Sequence, residues 1–313
     1  MASVFPLKLR PKGAQKKKKQ PRLYIPRPSV QHGYVKSFDG TEIFYSIEGE
    51  GEPLVFCYGL VCSSLHWTYQ IDYFRSHYKT IWFDYRGHHN SDTPNDLSSI
   101  TIKNIAKDLS FVLEKLKIDN ATLLGHSMGV NVALDFFHLY PEKVKQLVLM
   151  NGTCKRPLEN LLHHNFSEIF FKLLAHTEKR LPNLVQTLWK LQKNNPLSQW
   201  IVTQGGFNKH LAQKEDVAQY INQIAEMDAK LFLQLINNYN AYDATPWLHQ
   251  INVPTMILAG EQDHITPTEE QELLHQLIPN SQIEIIKHGS HCPQMDLPDL
   301  VNLLIDNFLK KNT

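Results

Sequence analysis

The chain has 313 residues, 42% of them hydrophobic and 20% charged, enough apolar material for a large buried core. Its formal charge of +1 conceals an asymmetry: eight of the 32 Lys/Arg lie in residues 8–22, KLRPKGAQKKKKQPR, leaving 24 against all 31 acids in the rest, a formal −7. An acidic body excludes a nucleic-acid-binding face on the fold itself and leaves any polyanion contact, such as an anionic membrane surface, to a basic tail read as residues 1–22.

MASVFPL is too short for the apolar region of a secretory signal, and no later stretch reaches the roughly 18 apolar residues of a membrane span. The four cysteines, Cys57, Cys62, Cys154 and Cys292, form no C-x-x-C pair and no metal-like spacing with histidine, so they read as reduced thiols. Together these features predict a cytoplasmic protein.

After the tail, YVKSFDGTEIFYSIEGEGEPLVFCYG reads as three strands broken at Asp39-Gly40 and at GEGEP. Further short apolar runs follow at residues 80–87, 121–125, 144–152, 254–263 and 281–289. Each ends in Gly, Asp or Asn, the pattern of strands buried on both faces of a parallel sheet. The segment 101–118 repeats apolar residues at three and four with Thr101 as N-cap, which predicts a helix leading into the strand at 121. This alternation predicts an α/β fold with a doubly wound, mostly parallel sheet and a ligand crevice at the carboxyl ends of its strands.

Between Thr153 and Pro254 the strand rhythm stops and helical patterns replace it. The expected organisation is a core from 23 to 153, a helical cap from 154 to 250, and a second core part from 251 to 313. Phe166, Phe170, Phe171, Trp189, Trp200, Phe207 and Phe232 recur in the cap, as its own core or as the wall of an apolar crevice.

The segment LLGHSMGV, residues 123–130, sets Ser127 between Gly125 and Gly129, where a strand turns sharply into a helix. A serine hydroxyl is a weak nucleophile and needs a base in reach, itself held by a third group. Asp263 in LAGEQDHITP and His291 in KHGSHCPQMDLP each follow a strand after the insertion. His288 falls where the last strand should still be in the sheet, and His126 lies inside the turn.

In these segments the chain resembles the α/β-hydrolase superfamily. Gly125–Gly129 is similar to its G-x-S-x-G nucleophile elbow, and Ser127, Asp263 and His291 follow in the family's order. DYRGHHNSD (84–92) resembles its D-x-R-G-x-G-x-S-D segment, HCPQMDLP its H-x-P-x-x-E-x-P ending, and YGLVCSSLHW (58–67) its His-Gly oxyanion loop. The resemblance implies Ser127 as nucleophile, His291 as general base and acid, Asp263 as its orienting acid, and the backbone N–H groups of Leu60 and Met128 as oxyanion donors. It implies no cofactor and no metal. Two residues depart from the pattern: Tyr58 stands for the usual histidine before Gly59, and His89 for a glycine. Asp84, Arg86, Ser91 and Asp92 are assigned to turn architecture. Asn151 and Gly152 occupy the family's alternative acid position, which favours Asp263.

A serine at the elbow sets the chain apart from the branches that use an aspartate nucleophile, the haloalkane dehalogenases and epoxide hydrolases. The expected reaction is hydrolysis of a carboxylic ester of a small acyl or other apolar substrate. The same triad leaves open carbon–carbon bond hydrolysis, a cofactor-free perhydrolase, or a slow ligand receptor.

Overall fold

The computed structural model describes residues 30–60, 62–156 and 164–312, and the side chains of residues 164–170 are not among those described. The basic tail therefore lies outside the described residues. Eight strands form one sheet: β1 (Gln31–Lys36), β2 (Glu42–Glu48), β3 (Glu52–Cys57), β4 (Tyr78–Phe83), β5 (Ala121–His126), β6 (Val144–Met150), β7 (Thr255–Gly260) and β8 (Ser281–Ile286). Their order is β1-β2-β4-β3-β5-β6-β7-β8. The first two pairings, β1 with β2 and β2 with β4, are antiparallel, and all others are parallel.

From β3 the chain crosses to β4 on one side and returns to β5 on the other, so strand order reverses beside β3. A parallel doubly wound sheet opens its ligand crevice at such a reversal. The loops leaving β3 and β5 carry Leu60 and Ser127, and those leaving β7 and β8 carry Asp263 and His291.

The sheet is covered by α1 (Thr68–Phe74), α2 (Ile102–Leu116), α3 (Met128–Leu139), α9 (Thr268–Leu277), α10 (Pro293–Asp296) and α11 (Pro298–Lys311). Thr101 caps α2 as its sequence predicts, its side chain accepting from the N–H of Asn104 at 3.1 Å. Strand β5 is buried along its whole length, as is β7, matching their continuous apolar runs. Strand β8 departs from that expectation: as the sheet edge it leaves Ile285 and Glu284 exposed, because nothing pairs beyond it.

Between β6 and β7 lie α4 (His164–Arg180), α5 (Pro182–Lys190), α6 (Pro196–Gly206), α7 (Lys214–Glu226) and α8 (Ala229–Asn240). The stretch leaves and rejoins the core at one stem: Lys155 bridges Asp243, Arg156 N–H donates to Tyr242 O at 2.9 Å, and Ala244 N–H to Cys154 O at 2.8 Å. A stem that closes on itself lets the core fold around a long insertion at little loop-closure cost.

Candidate active site

Ser127 sits at the turn from β5 into α3 with φ 54° and ψ −122°, a conformation that side-chain sterics disfavour. Its neighbours make the turn possible. A Cβ on Gly129 would lie 2.1 Å from Cys57 O, and one on Gly125 would lie 2.6 Å from Gly129 O. The two glycines therefore allow α3 to start against β3 and lift the hydroxyl of Ser127 clear of the sheet.

His291 reaches that hydroxyl, with Nε2 3.1 Å from Ser127 Oγ. Its Nδ1 lies 2.8 Å from Asp263 Oδ2. Burial works to raise the Asp263 pKa, but the charge of His291, its hydrogen bond and those from Thr266 outweigh it, and the net shift is downward. An ionised Asp263 can only accept, so Nδ1 carries a proton, and in the neutral imidazole Nε2 is the nitrogen left to accept from Ser127. The other carboxylate oxygen accepts from the N–H groups of Ile265 and Thr266 at 2.8 and 2.9 Å, which fixes its plane. Thr266 Oγ1 lies 2.8 Å from Asp263 Oδ2 and 2.9 Å from Asn151 O, with one proton for the two.

Asn151 has a larger part than its sequence suggests. It sits just past β6 with φ 45°. Its Nδ2 donates to Ser290 O at 2.7 Å and to His291 O at 3.0 Å, and its Oδ1 accepts from Gly260 N–H at 2.8 Å. One buried amide thus ties the ends of β6 and β7 to the histidine loop. His126 adds a second tie, with Nε2 2.7 Å from His291 O. Burial pushes its pKa down to about 3, which keeps it neutral and fixes Nε2 as the donor to that carbonyl.

Gly59, the residue before Leu60, comes so close to Ser127 that a Cβ on it would lie 3.1 Å from Ser127 Cβ, and Met128 opens α3, where the first N–H groups have no partner inside the helix. The departure at Tyr58 is absorbed structurally. Its hydroxyl accepts from Tyr85 N–H at 2.8 Å, the Tyr85 hydroxyl donates to Tyr58 O at 2.8 Å, and the two rings stack at 4.0 Å. His89, the second departure, adopts φ 44° and places Nε2 2.8 Å from Cys62 O, so it braces the loop that follows Leu60.

The turn assignment is met by Arg86, whose guanidinium forks onto Asp108 at 2.7 and 2.6 Å and reaches Asp39 at 2.9 Å. Asp296, in the ending that resembles H-x-P-x-x-E-x-P, accepts from the N–H groups of Ser290 at 3.0 Å and Asn208 at 3.1 Å, which joins the histidine loop to the segment after α6.

Two expectations need correction. His288 lies beyond β8, not inside it; its φ of 64° turns the ring outward beside Glu261, and this geometry is what removes it from the site. Trp200 is not cap core, being 63% exposed. Phe207 is buried with Ile221, Cys292 and Met295, and Phe232 packs against Trp189 and Phe171, while the side chains of Phe166 and Phe170 lie outside the described residues. Among the described residues no group of His, Cys, Asp and Glu stands ready to hold a metal ion, and no helix is long and apolar enough to cross a membrane.

The family model for the alpha/beta hydrolase fold matches residues 52–298. The chain belongs to the α/β-hydrolase family. Among sequence relatives, it is 27% identical to epoxide hydrolase 4 of Mus musculus over 90% of this chain and 80% of that protein. Among solved structures, a bromoperoxidase from Bacillus anthracis superposes with a TM-score of 0.75 at 23% identity, covering 90% of this chain and all of that one. An esterase from Exiguobacterium antarcticum does so with a TM-score of 0.72 at 22% identity, over 88% of this chain and 98% of that one. As an α/β-hydrolase with relatives named as hydrolases, the chain is an enzyme of that broad class.

Proposed function

We propose that this enzyme is a serine hydrolase that cleaves carboxylic esters of small acyl or other apolar substrates through an acyl-enzyme intermediate. The observation that carries the reading is the unbroken line from Ser127 Oγ to His291 Nε2 at 3.1 Å and from His291 Nδ1 to Asp263 Oδ2 at 2.8 Å. In this mechanism Ser127 Oγ attacks the ester carbonyl carbon while His291 Nε2 takes its proton. The N–H groups of Leu60 and Met128 receive the oxyanion, each worth about 3 kcal/mol in the transition state. His291 then returns the proton to the departing alkoxide, and the alcohol leaves. Water, deprotonated by the same Nε2, attacks the acyl-enzyme and frees the acid.

The relative named as an epoxide hydrolase does not redirect this reading. Opening an epoxide with Ser127 would leave an alkyl ether on the enzyme, and an ether has no carbonyl for a His291-activated water to attack. A carbonyl substrate avoids that dead end. The apolar character of the substrate is supported by the aliphatic and aromatic face of the cap helices, where Leu231 packs over Gly87 and Tyr220 stacks on His66 at 4.6 Å. Residues 154–250 form the cap in this reading, and four buried free thiols fit a cytoplasmic setting.

The test is hydrolysis of p-nitrophenyl esters of increasing acyl length by the parent enzyme and by Ser127→Ala, beside labelling with a fluorophosphonate. We expect turnover with a chain-length optimum, a loss of at least about 10⁴-fold in the variant, and label only on the parent. Equal turnover by the two proteins would overturn the assignment. Labelling of Ser127 without ester turnover would move the substrate to a carbon–carbon bond or another carbonyl compound.

A further inference from the structure

Eight of the fourteen exposed large hydrophobic side chains among the described residues fall between residues 173 and 201, in the cap. On α5 and its C-cap they recur at Leu184, Leu188 and Leu191, and on α6 at Leu197, Trp200 and Ile201. Both spacings place apolar residues along one side of a helix, the pattern of a face made to be covered. Yet α5 already has its inner contacts: Val185 is buried, and Trp189 packs on Phe232 and donates to Ile224 O at 2.8 Å. The leucines lie on its other side. Scattered surface leucines need no explanation, but an exposed row at helical spacing on each of two successive helices does.

The charge around this face is one-sided. Residues 171–210 contain six Lys/Arg against the single acid Glu178, and Glu178 is buried. Lys193 pairs with Glu226 on α7 at 2.6 Å, and the other five leave the stretch with a net positive charge in a body that is acidic by sequence. We propose that the outer face of α5 and α6 is a docking surface for an anionic lipid bilayer. Leucines and isoleucine enter the boundary between headgroups and acyl chains, Trp200 sits at headgroup depth, and Lys179, Arg180 and Lys190 meet lipid phosphates while their stems lie along the apolar surface. A second copy of the chain on this face would set like charges against each other, which favours the bilayer. This contact is distinct from one made by the basic tail: it combines apolar insertion with charge, whereas KLRPKGAQKKKKQPR offers charge with almost nothing apolar.

The test uses the full chain, so that the tail is present throughout, and compares it with the triple variant Leu184→Ser, Leu188→Ser, Leu191→Ser. Co-sedimentation is read with phosphatidylcholine–phosphatidylserine vesicles at physiological salt and at about 0.5 M salt, where purely charged contacts are screened. We expect the parent to bind and to retain part of its binding in high salt. The variant should bind at least about 10-fold more weakly and lose the salt-resistant fraction. A Leu197→Ser, Ile201→Ser variant should repeat the loss from α6. Equal vesicle binding by parent and variants would assign the contact to the tail and overturn the proposal. So would variants that change only the sedimenting mass, which would assign the face to a second copy. Vesicle binding is read without turnover, so its failure is separable from failure of the proposed hydrolysis.

Discussion

Around His291, within a few residues of chain, the carbonyls of Ser290 and His291 accept from Asn151, His126 meets the same His291 carbonyl, and Asp296 holds the N–H of Ser290. Along α5 and α6, by contrast, large apolar side chains stand in solvent, and the polar contacts tie the inner side to α7 and α8, as Trp189 does to Ile224 O at 2.8 Å, or stay within a helix, as Thr203 does to Gln199 O at 2.7 Å. The first region is built to permit one arrangement of its atoms. The second is stable without having its outer face fixed by anything among the described residues. A catalytic loop must hold a base to within a few tenths of an ångström, whereas a cap has only to stay folded while something else covers it.

If the first region is as tightly specified as its hydrogen bonds suggest, small isosteric changes there should be costly. The largest effect is expected at Asp263→Asn. The amide keeps the shape but removes the charge and presents a donor to Nδ1, so the tautomer that faces Ser127 is no longer favoured. The kcat for ester hydrolysis should fall by about 10²- to 10⁴-fold with little change in KM. A near-normal rate would show that the orienting acid lies elsewhere and would break the contrast at its centre.

Asn151→Ala comes next. It removes no group that touches the substrate, but it strands the buried carbonyl of Ser290 and the N–H of Gly260 and leaves His291 O to His126 alone. Each buried group left unpaired costs about 1–3 kcal/mol, so the urea midpoint should drop. Because the histidine loop loses its anchor, kcat should also fall by about 10- to 100-fold. Asn151→Asp should recover stability in part through the oxygen retained for Gly260 N–H but not the rate, since its carboxylate offers no donor to the Ser290 and His291 carbonyls it faces. A stability loss with an unchanged rate would reduce Asn151 to a structural post.

How far each region could be foreseen follows from where its constraints are written. Gly125, Ser127 and Gly129 are neighbours in sequence, and the steric demand that selects them is local, so the elbow is legible in five letters. Asp263 and His291 are legible because each follows a strand of clear apolar pattern. Asn151 is legible only as a missing acid, since its partners Ser290 and His291 lie 139 and 140 residues away. His89 reads as a lost glycine until the fold brings it to Cys62 O. In the cap, periodicity marks helices but is blind to which side is covered; the spacing of Leu184, Leu188 and Leu191 would read the same in a buried helix. Trp200 illustrates the consequence, since its size argues for a core that the fold does not give it.

Buried histidines sharpen the contrast further, because they make the crevice loops sensitive to acid, while among the described residues α5 and α6 carry no histidine. Burial lowers the pKa of His88, on the loop after β4, from the usual 6.5 to about 3, and that of His126 to about 3. The sign follows from which state takes up protons. Below the unfolded value near 6.5 the unfolded chain binds a proton that the native site refuses, so stability is full above that pH and falls as the pH drops toward about 3. From pH 7 to pH 5 each such histidine should cost about 2 kcal/mol. His88→Asn, which retains a donor for the Arg86 carbonyl that Nδ1 meets at 3.2 Å, should flatten the fall by about that amount. Urea midpoints at pH 7, 6 and 5 for parent and variant measure it directly. Parallel slopes would mean that the His88 ring takes up its proton in the folded protein, and the crevice loops would then be looser than their hydrogen bonds imply.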